Sequence, residues 1–247
     1  MAFFNLSVMK NSFFIHLFIF TGLFNLNAQS LIGAWEAMVP VENDKIKWTV
    51  RSVVIFSDGY QVNTFYDPAT GAFVSTNGGS WSIEGNQLTE TVEFDTKTPE
   101  RVGTTGVFEI ELTENELRAI DSGIVWKRID DGSPGDLDGA WLISGRMRNG
   151  ELQKRDTNRP RKTMKILSGT RFQWIAYNTE TKEFMGTGGG TYTTIDGKYT
   201  ENIEFFSRDD SRVGASLQFD YELKDGDWHH SGLSSKGKLI YEVWSLR

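Results

Sequence analysis

The chain has 247 residues, with 33 acidic against 26 basic side chains and a formal net charge of −7. A surface this acidic argues against nucleic acid or an anionic membrane as the partner. The chain contains no cysteine. This excludes thiol catalysis and cysteine-based zinc sites, and it leaves each domain to be stabilised by its core alone.

Residues 1–28 are predicted to be an export signal. Lys10 supplies the positive charge, Ser12 to Phe24 is an apolar stretch too short for a membrane span, and Ala28 is a small residue suited to cleavage. The alternative is an uncleaved anchor helix. A lipid anchor is excluded because it requires a cysteine, and the sequence has none. Removing this segment leaves 25 basic and 33 acidic residues, a net charge of −8. We therefore expect an exported protein, periplasmic or secreted, without a membrane span after signal cleavage.

The rest of the chain is a tandem duplication. Ser75 to Asp95 is repeated as Gly186 to Phe206, and the offset of 111 also relates Arg101 to Arg212 and Phe108 to Phe219. A repeated unit of this size is a domain. The domains are predicted to span residues 29–131 and 132–247, with a linker of Gly, Pro, Ser and Asp over Ile129 to Asp136.

Each copy is predicted to be an all-β meander of about eight strands. Turn sequences such as Ser57-Asp58-Gly59 and Asp196-Gly197 recur every 8 to 12 residues, and no helical period of apolar residues is convincing. Strands that follow one another through hairpins leave two exposed edges unless the sheet closes. We therefore expect two small up-and-down barrels, each either filled by side chains or holding one small ligand.

Both copies begin with Gly-x-Trp, at Trp35 and Trp141, and both end near a basic residue, Arg128 or Arg247. With the meander, these features make each copy resemble the lipocalin-like domains of the calycin superfamily, and most closely those of uncharacterised secreted bacterial proteins. The resemblance implies that each Trp packs at the closed end of its barrel against the arginine of the last strand. The two tryptophans are then structural.

The glycine-rich run Gly186 to Thr191 could be taken for a phosphate-binding loop. Such a loop continues through Gly-Lys-Ser/Thr into a helix, whereas a Thr/Tyr strand follows here. The run therefore favours a strand that bends, or one that lets a large ring pack on bare backbone.

Glu201 and Glu204 are both duplicated in domain 1, but residues three apart on a strand point to opposite faces. They are not expected to act as a catalytic pair. Glu201 is predicted to share the interior face with Ile203 and Phe205, and a buried carboxylate needs a partner. Arg212 is the predicted partner, in either a structural ion pair or a ligand-binding pair.

Histidine is confined to domain 2 once the signal is removed. His229 and His230 are adjacent and should face opposite sides, so we expect no metal site. A histidine near the barrel mouth can still be a polar anchor or a general base. Motifs of nucleophilic hydrolases, zinc proteases and dinucleotide-binding proteins are absent from the sequence, and no cofactor is predicted.

Domain 2 also carries the features that domain 1 lacks. Trp174 stands where domain 1 has Asn63, and the segment Gly232 to Gly237 has no counterpart. Core packing remains the alternative for any single ring. The predicted ligand-binding residues are Trp174, Tyr177, Tyr192, Glu201, Arg212, Phe219 and His230.

Three functional hypotheses follow. The first is an exported protein that binds a small, partly apolar ligand in the barrel of domain 2. The second is an enzyme of the isomerase, lyase or cyclase type that uses Glu201 or a domain 2 histidine as general acid or base. The third is a structural or interaction protein with filled barrels. A solvent-accessible cavity containing Glu201 and Arg212 favours the first two, and a filled core favours the third.

Overall fold

The computed structural model describes residues 31–42, 47–133, 135–234 and 237–247. The predicted export signal lies outside these residues. Within them, no helix has the length and apolar character needed to cross a membrane. They form two antiparallel β-barrels in sequence, which confirms the predicted fold class.

Barrel 1 is a closed ring in which each strand pairs with the next and the last pairs with the first. Its strands are β1 (Gly33–Glu42), β2 (Lys47–Ser57), β3 (Tyr60–Tyr66), β4 (Phe73–Glu84), β5 (Gln87–Asp95), β6 (Thr105–Leu112), β7 (Glu116–Ala119) and β8 (Val125–Asp130). A short 3-10 turn, Pro99–Arg101, lies between β5 and β6.

Barrel 2 repeats this order with one addition. Its strands are β9 (Gly139–Arg148), β10 (Glu151–Lys154), β11 (Arg161–Leu167), β12 (Arg171–Asn178), β13 (Phe184–Ile195), β14 (Lys198–Phe206), β15 (Ser216–Lys224), β16 (Asp227–Leu233) and β17 (Leu239–Leu246). Strand β9 pairs with both β11 and β17, which closes a ring of eight strands, while β10 forms a hairpin with the far end of β9. The 3-10 turn recurs at Asp210–Arg212.

The predicted offset of 111 is confirmed by strand register. Gln61 pairs with Gly79 in barrel 1, and Phe172 pairs with Gly190 at the same place in barrel 2. The register shifts between Gly78 and Gly79 when β4 pairs with β5, and between Gly189 and Gly190 when β13 pairs with β14. Each copy therefore carries a β-bulge at the same position.

The bulge corrects one expectation about side-chain faces. Phe205 was expected to share the barrel interior with Glu201, but it packs outside the barrel in a core formed with barrel 1. Ile203 lies in the interior as expected, and the partly buried Phe206 takes the place that was expected for Phe205. Strict alternation fails because the extra residue at the bulge, Glu204, shifts the parity of every residue after it.

The Gly-x-Trp tryptophans are structural anchors. The Trp35 indole nitrogen donates to the Leu31 carbonyl oxygen, and that of Trp141 donates to the Leu137 carbonyl oxygen, both at 2.9 Å. Arg128 stacks over Trp35 at 3.9 Å, as the resemblance implies. The corresponding expectation for Arg247 is wrong, because its guanidinium reaches out of barrel 2 to Glu93 of barrel 1.

The outer faces of the two barrels share one hydrophobic core. Each side contributes equivalent residues, since Val53, Ile55, Tyr66 and Phe94 correspond through the offset of 111 to Met164, Ile166, Tyr177 and Phe205. The ring of Tyr66 stacks on Phe205 with centroids 5.0 Å apart, and Tyr177 packs on Phe94 at 4.8 Å. Each contact therefore occurs twice, once with the roles of the two barrels exchanged, as in an isologous dimer.

The polar contacts of this interface follow the same pseudo-symmetry. The Tyr66 hydroxyl donates to Glu204 at 2.7 Å, and the Tyr177 hydroxyl donates to Glu93. Arg51 and Arg171 also bind Glu204, at 3.1 and 2.6 Å. The duplicated glutamates Glu93 and Glu204 thus join the two barrels.

Candidate functional site

Barrel 2 encloses a cavity of about 370 Å³. Its wall combines apolar side chains with several charged ones, and both of the residues that were expected to mark a ligand site, Glu201 and Arg212, lie in it. The lining includes Arg146, Lys165, Trp174, Glu201, Ile203, Phe206, Arg212, Leu217, Phe219, His230, Ile240 and Glu242.

A buried ion pair between Lys165 and Glu201 lies at one wall of the cavity. The Lys165 ammonium is 2.7 Å from Glu201 Oε1, and both side chains are less than a tenth exposed. The same ammonium lies 4.8 Å from the ring centroids of Tyr199 and Trp228. Aromatic faces attract a cation, so the rings supplement the single carboxylate partner.

Lys165 corrects the predicted pairing of Glu201 with Arg212. Lys165 pairs with Trp141 on β9, and the equivalent partner of Trp35 on β1 is Val54. Domain 2 therefore has a lysine where domain 1 has a valine. The connection between these two strands is five residues longer in domain 2, which changes the offset between equivalent residues. The two tryptophans are 106 residues apart, whereas Val54 and Lys165 are 111 apart, the offset of the repeat. Applying the offset of 111 to this strand could have identified Lys165 from the sequence.

Arg212 lies at the end of its 3-10 turn, in the cavity wall. Its Nε is 3.3 Å from Asp209 Oδ2, and its guanidinium lies 5.3 Å from the Phe206 ring centroid. Asp209 caps the turn by accepting a hydrogen bond from the Ser211 backbone. Arg212 is thus positioned by its own turn, and it remains a lining residue of the cavity.

His230, Glu242 and Arg146 form a second charged group in the wall. His230 is 2% exposed, and its Nδ1 lies 3.6 Å from Glu242 Oε2, which is longer than a hydrogen bond. Arg146 donates to the other carboxylate oxygen of Glu242. Sequence reasoning found His230 but missed Arg146 and Glu242, which have no charged counterparts in domain 1. The offset between Trp35 and Trp141 matches Arg146 to Pro40, and the offset between Trp126 and Trp244 matches Glu242 to Ile124.

The pKa values in this group are set by burial and by charge. Burial, followed by the nearby Lys165 ammonium, lowers the pKa of His230, so its imidazole is neutral at neutral pH. Burial opposes ionisation of Glu242, but His230, Arg146 and Lys165 outweigh it and lower the pKa of Glu242 to about 2. The wall therefore presents a neutral imidazole beside a carboxylate that is already bound to an arginine.

Barrel 2 contains a surplus of buried hydrogen-bond donors. Among the described residues, the buried side-chain atoms without a hydrogen-bond partner are all in barrel 2, and only one, Arg171 Nε, belongs to the contact with barrel 1. The others are Arg146 Nε, both ring nitrogens of His230, Tyr199 OH, Trp228 Nε1 and Trp244 Nε1. Arg146 and His230 line the cavity, and the three rings surround Lys165. Because His230 is neutral, one of its ring nitrogens donates and the other accepts, so the unpartnered donors in the cavity wall are Arg146 Nε and one nitrogen of His230. A molecule that satisfied these donors would have to present oxygen acceptors.

Five of the seven predicted site residues line this cavity: Trp174, Glu201, Arg212, Phe219 and His230. Tyr177 does not, because it is three residues from Trp174 on the same strand and faces barrel 1 instead. Tyr192 packs in the barrel core, and its hydroxyl donates to the Ser168 carbonyl oxygen at 2.5 Å.

The glycine-rich run forms part of strand β13, and no helix follows it. A Cβ atom on Gly188 would lie 2.7 Å from Trp174 Nε1 and 2.7 Å from Phe206. The bare backbone therefore makes room for two rings of the cavity wall, and the run holds the bulge as well. The bend-and-packing interpretation is confirmed.

The remaining features of domain 2 surround the site. His229 points away from His230 and bonds the Tyr241 hydroxyl at 2.7 Å, as strand alternation predicts. Ser234, in the segment Gly232 to Gly237, touches the cavity, while residues 235 and 236 lie outside the described residues. In the described part of the chain, no three His, Asp or Glu side chains are grouped so as to hold a metal ion.

Comparison with known proteins shows that part of the chain is similar to a family without a known function. Residues 136–245 match the family model of a domain of unknown function, DUF4488. This stretch is barrel 2 almost in its entirety. No curated protein matches the chain.

Proposed function

We propose that barrel 2 of this exported protein binds a small, partly apolar ligand that carries an anionic group. The observation that carries the proposal is the cavity of about 370 Å³, whose wall joins aromatic rings to cationic and unpaired donor groups. Ligand sites in proteins are concave, mostly apolar and supplied with a few polar groups that orient the ligand. The volume falls within the usual range for such sites, about 300 to 1,000 Å³.

The charge of the wall supports an anionic group on the ligand. Arg146, Lys165 and Arg212 oppose the carboxylates of Glu201 and Glu242, which leaves a net charge of +1 with His230 neutral. One excess charge on side chains that are largely buried attracts a counter-charge more strongly than it would in bulk water.

An arginine cluster extends this positive field beyond the cavity. Burial and the charges of Arg146, Arg148 and Arg161 lower the pKa of Arg155. These three neighbours therefore lie close enough to Arg155 to repel it, and Arg146 belongs to the cavity wall. Anions approaching the Arg146 side of the cavity would be attracted.

The architecture supports the same reading. Two antiparallel eight-strand barrels in tandem fit a lipocalin-like fold, and barrels of this size can hold one small ligand. Membership of the calycin superfamily is part of the proposal, as is export directed by residues 1–28. The cavity weighs against the hypothesis of filled barrels.

Catalysis is the second candidate, and His230 favours it. A neutral imidazole in a cavity wall, with both nitrogens unpartnered, can act as a general base on a bound substrate. An isomerase, lyase or cyclase reaction would use it in this way. His230→Asn should then abolish turnover of a substrate that still binds, whereas a binding protein would show altered affinity alone.

Native mass spectrometry of the exported protein, purified without detergent, is the first test. We expect a co-purified small molecule with an acidic group. A protein that carries no such molecule can be titrated with three probes of equal chain length, octanoate, octanol and octylamine. Indole NMR signals report the site, because Trp174 lines the cavity of barrel 2.

Octanoate should shift the Trp174 signal at lower concentration than octanol or octylamine. Arg212→Ala should weaken octanoate binding by about 2 to 5 kcal/mol, and the matched variant Arg101→Ala in barrel 1 should leave it intact. Unfolding must be measured in both variants. Equal losses in the two variants after correction for stability, or tighter binding of octylamine to barrel 2, would contradict the proposal.

A further inference from the structure

Barrel 1 has a cavity of its own, of about 340 Å³. Most of its wall is apolar, with the rings of Phe56, Trp81, Phe108 and Trp126 among its lining residues. The Trp126 indole is anchored by a hydrogen bond to Ser52 Oγ at 2.9 Å, and the Trp81 indole by one to the Ser57 carbonyl oxygen at 2.9 Å. The cavity therefore has a rigid aromatic wall, and its size is close to that of barrel 2.

The charges of barrel 1 are the reverse of those in barrel 2. Val54 stands in place of Lys165, and Ala119 in place of His230. The charged lining residues are Arg101 against the three carboxylates of Glu90, Glu109 and Asp121. The net charge is thus −2, compared with +1 in barrel 2.

Glu90 is the buried charge in this wall, the counterpart of Glu201. It is 7% exposed, and Gln61 donates to its Oε1 at 2.5 Å. Arg101 lies 3.7 Å from the other oxygen, because its guanidinium is bonded to Asp95 at 2.9 Å. Valine stands in the position of Lys165, so among the described residues the only cation paired with this oxygen of Glu90 is Arg101, at 3.7 Å.

A carboxylate in this position accepts hydrogen bonds and attracts a cation. A ligand ammonium group beside Glu90 would supply the charge that Lys165 supplies to Glu201 in barrel 2, and its apolar part would pack against the rings. We infer that barrel 1 is a second ligand site, selective for an apolar molecule with a protonated amine. The chain then carries two barrels that bind ligands of opposite charge.

The same probe series tests this inference through different reporters. Indole NMR signals of Trp81 and Trp126 report barrel 1, whereas Trp174 reports barrel 2. We expect octylamine to shift Trp81 and Trp126 in the wild-type protein at lower concentration than octanol, with octanoate the weakest. Failure of octanoate at Trp174 would refute the function proposed for barrel 2 without affecting this result.

Two variants identify the group responsible. Glu90→Gln should weaken octylamine binding at Trp81 about tenfold or more, the loss expected for a charged hydrogen bond, and leave octanol binding unchanged. Glu111→Gln removes one exposed carboxylate from the same barrel, at a position that does not line the cavity, and should have little effect.

Three outcomes would overturn the inference. The first is the absence of any Trp81 or Trp126 shift with octylamine in the folded wild-type protein. The second is tighter binding of octanoate than of octylamine in barrel 1. The third is an equal loss of octylamine affinity in Glu90→Gln and Glu111→Gln, which would mean that only the overall charge of the protein matters.

Discussion

The exchange of Val54 for Lys165 places a buried charge in the interior of barrel 2 that barrel 1 lacks at the equivalent position. Burying an ammonium group costs several kcal/mol unless it is paired, and Lys165 has one carboxylate and the faces of Tyr199 and Trp228. A buried ion pair of this kind rarely maximises the stability of the folded protein, since apolar residues of similar volume in its place often give a fold that is equally stable or more stable. Lys165 lies in the wall of the cavity, where the proposed ligand would contact it.

Removing one partner of this pair should therefore cost more than removing both. Lys165→Met leaves Glu201 buried and unpaired and should lower the free energy of unfolding by about 3 to 5 kcal/mol. The double variant Lys165→Met, Glu201→Gln should recover at least half of that loss. Urea unfolding of the four proteins in the cycle measures this, and additive losses would show that the two residues do not interact.

Glu242 gives the protein a specific acid sensitivity. Its pKa is lowered from an ordinary value of 4.5 to about 2 in the folded state, so its contribution to stability is complete above about pH 5. That contribution is lost as the pH falls from about 4.5 towards 2. His230 acts in the same direction, because its lowered pKa makes protonation below about pH 6.5 favour the unfolded chain.

The stability of Glu242→Gln should consequently depend less on pH than that of the wild-type protein. Between pH 6 and pH 3 we expect the wild type to lose about 2 kcal/mol more than the variant. Urea unfolding at both pH values measures the difference, with Glu111→Gln as an exposed control. Parallel curves for wild type and Glu242→Gln would contradict the assignment.

At the scale of the strand, the bulge decides which residues line the cavity of barrel 2. Alternation correctly put Glu201 inside and Glu204 outside, but it failed beyond the bulge, where Phe205 faces outwards and Phe206 inwards. The glycine-rich run is visible in the sequence, but the sequence does not indicate at which glycine the register between β13 and β14 shifts. The assignment of Tyr177 to the site was wrong because alternation was not applied to it. Tyr177 is three residues from Trp174 on the same strand, so the two side chains point to opposite faces.

The bulge itself requires glycine. A Cβ atom on Gly190 would stand 2.0 Å from the Asn202 carbonyl oxygen, and one on Gly79 would stand 1.9 Å from that of Thr91. Gly190→Ala should thus destabilise barrel 2 by about 3 kcal/mol or more, because backbone must move. Gly197→Ala is the matched control: it has a φ of +72° and open space around it, and should cost about 1 kcal/mol. Calorimetry compares them, and equal losses would mean that the bulge adapts.

At the scale of the molecule, the duplication predicted two barrels but not how they meet. The repeat paired Glu93 with Glu204 and Phe94 with Phe205, but of these only Phe205 was given a place in a core, the interior of barrel 2. They instead form two equivalent halves of the contact between barrels. A repeat in sequence records only that both copies kept a residue, and a pseudo-symmetric interface keeps residues just as a binding site does.

This shared core should make the two barrels unfold together. Domains with small polar interfaces unfold separately, whereas a large apolar interface couples them. Trp35→Ala in barrel 1 should therefore lower the urea midpoint reported by the Trp141 indole signal of barrel 2 as much as that reported by Trp126 of barrel 1. Phe205→Asp buries a charge between Tyr66 and Phe73, and should split the single transition into two.

If the wild-type protein already unfolds in two steps, or if Trp35→Ala shifts only the Trp126 signal, the interface does not couple the barrels. The two cavities would then belong to independent domains.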